Sequence, residues 1–244
     1  RIAFLQGVDD AVMQDAQRMI DNGETLDPKY VTGDAARIRV DVGTIDLETT
    51  GDALITGIQT GNTTEDAIRV VSTAGRILDN GDTRLDIIAD QGNAKLTISG
   101  ALGVGDDPLD VRLVNLQATS GGVVDLAAEG PLNIVGITAG DRVLLSATGD
   151  ITGDAVTSTG TGGINPDQTV SITSTTGGVT LASVSGQTGV SIAGQAGVDV
   201  DVVNAGTSVQ LAGPVIDAVV NGGVGPVGGS VTGFGGGMAT DVNL

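Results

Sequence analysis

Aspartate is the residue type with chemistry to offer in this chain. Asp79, Asp82 and Asp86 fall within "DNGDTRLD", and Asp106, Asp107 and Asp110 stand close to Arg112. Paired carboxylates of this kind act as general acid and base on glycosidic bonds. Carboxylates and backbone carbonyls are also the ligands that Ca2+ takes. A second turn, "GDITGD" at 149–154, sets Asp150 and Asp154 at similar spacing. Asp79, Asp82, Asp86, Asp150 and Asp154 are therefore the Ca2+ candidates, although neither a complete EF-hand loop nor a G-G-x-G-x-D repeat surrounds them. The competing reading makes all five solvated turn formers, a role that aspartate fills well.

Other chemistry is closed off by composition. The chain has no His and no Cys, which removes the commonest general base, the commonest metal ligand and every thiolate. No glycine-rich phosphate cradle is present. The only aromatics are Phe4, Tyr30 and Phe234, so 31–233 offer no ring for a sugar to stack on. After Arg142 there are 7 acids and no base to hold an anionic substrate. A polysaccharide lyase or hydrolase built on the clustered aspartates is the alternative function, and these two absences argue against it. No catalytic residue and no cofactor beyond Ca2+ are expected. The net charge of −19 disfavours nucleic acid and anionic membranes as partners. No apolar stretch is long enough for membrane insertion.

The acids themselves describe the scaffold. Of 30 acidic residues only Glu24, Glu48, Glu65 and Glu129 are glutamates, leaving 26 aspartates, the balance expected of turn-rich β structure. Between the turns runs a short aliphatic pulse. Val124-Asp125-Leu126, Leu132-Asn133-Ile134, Val143-Leu144-Leu145, Val170-Ser171-Ile172, Val179-Thr180-Leu181, Val190-Ser191-Ile192, Val198-Asp199-Val200 and Val209-Gln210-Leu211 repeat it. Every second beat returns after about 20 residues, the signature of a solenoid with two strands per coil. Between Ala36 and Leu113 the same alternation is looser, as if those coils carry longer loops such as 103–108. The expected fold is all-β: a parallel β-helix of about ten coils, its thin core filled by stacked Val, Ile and Leu.

Three departures from the repeat set the boundaries. Residues 1–35 form an N-terminal cap in which apolar positions from Val8 to Ile20 fit one amphipathic helix, stopped by Asn22-Gly23. Residues 36–212 are the β-helix. Residues 213–244 are a Gly-rich cap, linker or subunit-contact segment, with nine glycines in the sixteen positions 222–237. Within the β-helix, "VTSTGTGGINPDQ" at 156–168 is an insertion of about 8 residues over one period. Loops of this kind carry the specificity of a rod, so Thr157, Thr159, Thr161, Asn165 and Asp167 are the interaction candidates. Its T-x-T-like triplets lie mostly in or beside that one loop, whereas an ice-binding face needs them in successive coils.

The runs "GGVVDLAAEGPLNIVGITAGDRVLLSATGDITGD" and "VSITSTTGGVTLASVSGQTGVSIAGQAGVDVDVV" resemble the repeats of filamentous-haemagglutinin-like adhesins, among them two-partner-secretion exoproteins and autotransporter passengers. The likeness covers roughly 36–212. It implies a right-handed β-helix, an extracellular or bacterial cell-surface location and no catalytic residues. A start at Arg1 and the lack of a secretion-domain motif suit an internal or C-terminal piece of a longer chain. The function expected is a secreted structural or adhesive rod: a fibre subunit, a stalk or a matrix component. Its expected partners are head-to-tail copies of itself, further domains of the same chain, or a host or cell-surface ligand.

Overall fold

Isolated strands of three to eight residues bury too little to persist, so this chain has to pair each strand with its equivalent one period later. The computed structural model describes residues 3–4, 38–79, 81, 83–101, 103–160, 169–222, 230–234 and 241–243. The expected helix within 1–35, along with Asp82, Thr161, Asn165 and Asp167, lies outside them. Every described element is a strand, and the strands form two long sheets. One sheet runs through ten strands from Ile45–Thr49 to Asp241–Asn243. The other has 13 strands and ends at Ser230–Phe234. Each coil contributes to both, giving a parallel β-solenoid of about nine turns. At about 4.8 Å per rung, the ten-stranded sheet is roughly 45 Å long.

The register follows the aliphatic pulse. Val124 pairs with Val143, Val143 with Val170, Val170 with Val190 and Val190 with Val209. On the opposite sheet Leu132, Ile151, Val179, Val198 and Ile216 form the matching file. The insertion at 156–168 leaves this register intact, because Val143 still meets Val170. Burial alternates along many strands, as in Val170–Ser174, where Val170, Ile172 and Ser174 are buried and Ser171 and Thr173 half-buried. Among the described residues the core is one continuous cluster of Val, Ile, Leu and Ala.

The looser spacing of the first half has a structural cause. There each coil contributes two short strands to the larger sheet, such as Ala53–Ile55 and Ile58–Thr60, then Arg76–Asp79 and Ile87–Ala89. The 11-residue strand Gly103–Leu113 ends this arrangement. Its start pairs with Arg76 and Ile77, its end with Ile87, Ile88 and Ala89. The stretch read as a loop at 103–108 is a bulge inside this strand, where the register shifts between Val104 and Leu109. Gly105 sits there at φ 72°, and a Cβ would collide with the carbonyl of Asp125 on the next rung, so glycine is required.

Buried hydroxyls close the turns. Ser72 Oγ donates to the Gly51 carbonyl at 2.7 Å and accepts the Gly75 N–H at 2.9 Å. Ser174 repeats this with Gly149 at 2.7 Å and Gly177 at 3.0 Å. One hydroxyl thus ties its own turn to the turn one coil earlier and leaves no buried polar atom unpaired there. Asn side chains add a second set of ties: Asn133 Nδ2 donates to Asn115 Oδ1 at 2.8 Å, and Asn221 Nδ2 to Asn204 Oδ1 at 3.2 Å.

At the N-terminal end the pattern changes direction. Ala3–Phe4 pairs antiparallel with Ile38–Val40, the first rung of the larger sheet. At the other end Ser230–Phe234 and Asp241–Asn243 each add a parallel rung, within the segment read from sequence as Gly-rich cap, linker or contact.

Ile192 is 1% exposed and stacked between Ile172 and Leu211. Ile192→Asp is expected to destabilise the solenoid by more than about 4 kcal/mol, whereas Ser191→Asp, on the outward face, should cost under about 1 kcal/mol; thermal melts of the two variants make the comparison. Ser174→Ala strands the Gly177 N–H and is expected to cost about 1–3 kcal/mol in a denaturant titration.

Candidate functional site

The change from three strands per coil to two forces the chain to detour, and the detours bring aspartates together. Asp79 ends the strand Arg76–Asp79, and Asp86 immediately precedes Ile87–Ala89. Asp110 lies one rung further on, in Gly103–Leu113. The Asp86 N–H donates to the Asp110 carbonyl at 2.7 Å, and the Asp110 N–H donates back to Asp86 Oδ2 at 3.0 Å. The two aspartate groups that looked separate in sequence thus adjoin through Asp86 and Asp110.

Asp86 is only 1% exposed. Burial pushes its carboxyl up to about 8, against the Asp110 N–H that favours ionisation and with the help of the neighbouring Asp79 carboxylate. Asp79 Oδ2 accepts the Gly81 N–H at 2.7 Å, while its Oδ1 is shielded from solvent and unpartnered when both acids are ionised. A hydrogen bond with the Asp79 side chain also favours the protonated form of Asp86. The corner is thus a buried acid set against a neighbouring aspartate, which is a structural arrangement. Asp86 is too deeply buried to meet a polymeric substrate.

A second cluster is centred on Arg112, two residues beyond Asp110 in the same strand. Arg112 Nε donates to Asp90 Oδ2 at 2.8 Å, and Nη1 lies 3.4 Å from Glu129 Oε1. Burial pushes the Asp90 carboxyl up, but hydrogen bonds from Gln91 and Arg112 outweigh it and hold the group below its ordinary value. Asp90, Arg112 and Glu129 line a groove of about 530 Å³ that crosses four coils and also includes Pro131, Asn133, Asp150 and Thr152. Arg112 therefore pairs across coils with Asp90 and Glu129, 22 and 17 positions away, rather than acting with the acids of its own strand. Sequence reading missed both partners. The signal that finds them is the period itself, since each sits about one coil from Arg112.

The remaining candidates do not converge. Asp150 Oδ1 accepts the Gly178 N–H at 2.8 Å, which makes it a turn former bridging two coils. Asp154 is exposed on the strand Ile151–Ser158. Thr157 faces outward on that strand, and Thr159 Oγ1 donates to the Ala139 carbonyl at 3.2 Å. Among the described residues no three Asp or Glu side chains stand close enough to hold a metal ion, and no helix is long and apolar enough to cross a membrane. No protein-family profile matches the chain, and neither a curated protein nor a solved structure gives a significant match.

The Asp86 carboxyl makes stability depend on pH. Its folded value of about 8 lies above the ordinary 3.8, so the native state binds the extra proton between those values. The associated stability is fully present below about pH 4 and lost as pH rises through about 8. The thermal midpoint of the parent should therefore fall from pH 5 to pH 9 more steeply than that of Asp86→Asn, whose amide stays neutral throughout. Parallel curves for the two proteins would mean that Asp86 is ionised in the fold.

Proposed function

We propose that this chain is a secreted structural or adhesive rod without enzymatic activity, serving as a fibre subunit, a stalk or a matrix component. The observation that carries the reading is the pair of long parallel sheets around a single aliphatic core. Such a body maximises length and repeated surface for a given number of residues. A compact enzyme of this size instead encloses a cleft with converging polar groups.

The polar chemistry present supports the same view. The buried acid Asp86 sits out of a substrate's reach, and Arg112 is engaged by two carboxylates within the fold. The likeness of residues 121–154 and 170–203 to filamentous-haemagglutinin-like repeats favours an extracellular or cell-surface setting. Self-association end to end belongs to this proposal, because a solenoid's terminal rungs present backbone groups that pair with another chain. Ca2+ is the ion proposed to neutralise the acidic surface at such contacts.

Electron microscopy of the purified chain, with Ca2+ and with a chelator, tests the proposal. Filaments with an axial repeat near one solenoid length are the expected result, losing order on chelation. Isolated short rods in both conditions would remove self-assembly and leave a stalk. Release of reducing ends or unsaturated products from a panel of polysaccharides would overturn the non-enzymatic reading.

A further inference from the structure

Asn62-Thr63-Thr64 is the only N-x-S/T triplet among the ten asparagines of the chain. This is the pattern at which an asparagine side chain accepts a sugar, and it serves as an acceptor only on a surface loop. The triplet lies in the turn between Ile58–Thr60 and Ile68–Ser72, where the chain passes from the larger sheet to the smaller. Gly61 and all four residues from Thr63 to Asp66 are exposed, and Asn62 is half-buried. Asn115, Asn133, Asn204 and Asn221, by contrast, use their amides to tie neighbouring coils together.

The side chains of the turn are arranged as such an acceptor requires. Asn62 Oδ1 accepts the Thr64 N–H and the Thr64 hydroxyl, each at 2.9 Å. Both donors fall on the amide oxygen. The nitrogen has one partner, the Asp66 carbonyl at 3.2 Å, which leaves the second of its two hydrogens free. The bond from the Thr64 N–H alone is enough to close a turn of this type. The hydroxyl is additional to the turn, and a hydroxyl at this position is what the triplet demands. We infer that Asn62 is an N-glycosylation site for a neutral sugar, since exposed Asp41, Glu65 and Asp66 nearby disfavour an anionic one. A glycan at this corner goes beyond the rod reading and requires only that the chain meets a glycosyltransferase.

The coils on either side hold the acceptor in place. The Gly61 N–H donates to the Val40 carbonyl at 2.9 Å, and the Asn93 N–H donates to the Thr63 carbonyl at 2.9 Å. The amide is therefore presented without having to be ordered first. The adjoining turn carries Val42, which at 87% exposure is the most exposed large apolar side chain described. The C–H face of a pyranose on Asn62 offers that side chain an apolar surface. In the transfer, Nδ2 forms a bond to the anomeric carbon of a sugar whose leaving group is a nucleotide or lipid phosphate. The bond from that carbon to the phosphate oxygen breaks, the phosphate keeps the electron pair, and the Nδ2 proton passes to a base of the transferase.

The test is mass spectrometry of the chain isolated from the organism that makes it. Trypsin cuts after Arg39 and Arg69, which leaves Asn62 in the peptide 40–69. That peptide is expected to carry hexose or N-acetylhexosamine, placed on Asn62 by fragmentation. A ladder of single sugars supports the site with stepwise transfer from nucleotide sugars, and one large addition supports it with a preassembled lipid-linked glycan. Asn62→Gln and Thr64→Ala should lose the modification, while Thr64→Ser should keep it. Sugar that survives Thr64→Ala, or that mild alkali releases from a threonine oxygen, would overturn the assignment. A bare peptide 40–69 in the parent protein overturns it without any variant, so the result does not hang on how the variants fold. A glycosylated peptide from a chain found only inside the cell would sink the secreted reading and leave the site standing.

Discussion

Everything in this molecule rests on the pairing of each strand with its counterpart one coil away. The backbone bonds of a rung run to the rungs before and after it, so no strand is stable by itself and none is dispensable in the middle. That arrangement imposes the same spacing on side chains. Inward residues stack at about 4.8 Å into files, and only flat or branched aliphatic groups fill such files without gaps. Val, Ile, Leu and Ala therefore make up the hydrophobic core of the described residues. Bulky rings would push the sheets apart at one rung and break the register of the next.

The same constraint governs polar groups. A turn that must stack on the turn below cannot leave its amides and carbonyls to water on every side. Ser72 and Ser174 answer this with hydroxyls that reach both their own turn and the previous coil. The Asn115–Asn133 and Asn204–Asn221 contacts do the same with amides. Two arginines follow suit: Arg69 bridges Asp46 and Glu48 one rung away, and Arg112 joins carboxylates from the rungs on either side. These exposed pairs contribute little stability one by one. Their regular orientation shows how completely the coil period organises the surface.

The change from three strands per coil to two is also the chemically least ordinary place described. Where two short strands per coil fuse into Gly103–Leu113, the chain bulges, buries Asp86 and sets it against Asp79. Irregularity, rather than the repeat, is what gathers unlike side chains here, because a perfect repeat only stacks equivalent positions.

Much of the fold was legible in sequence. The beat of Val, Ile and Leu at two strands per period specifies a solenoid, and the aliphatic pairs in register are the ones the spacing matched, including Val143 with Val170 across the insertion. The S-T-x-G turns were equally present as Ser72-Thr73-Ala74-Gly75 and Ser174-Thr175-Thr176-Gly177, but a Ser looks like surface until its burial is known. Side-chain neighbours across coils were harder to read. Asp90 and Glu129 lie 22 and 17 residues from Arg112, and unequal loops make that offset vary from coil to coil. Asp86 shows the limit most sharply, since its place in an alternating pattern looks outward, yet it is buried in the connection between Arg76–Asp79 and Ile87–Ala89. Periodicity resides in local sequence and can be read there. Which polar groups face one another, and which lose their water, depends on how successive coils are stacked, and only the tertiary structure decides that.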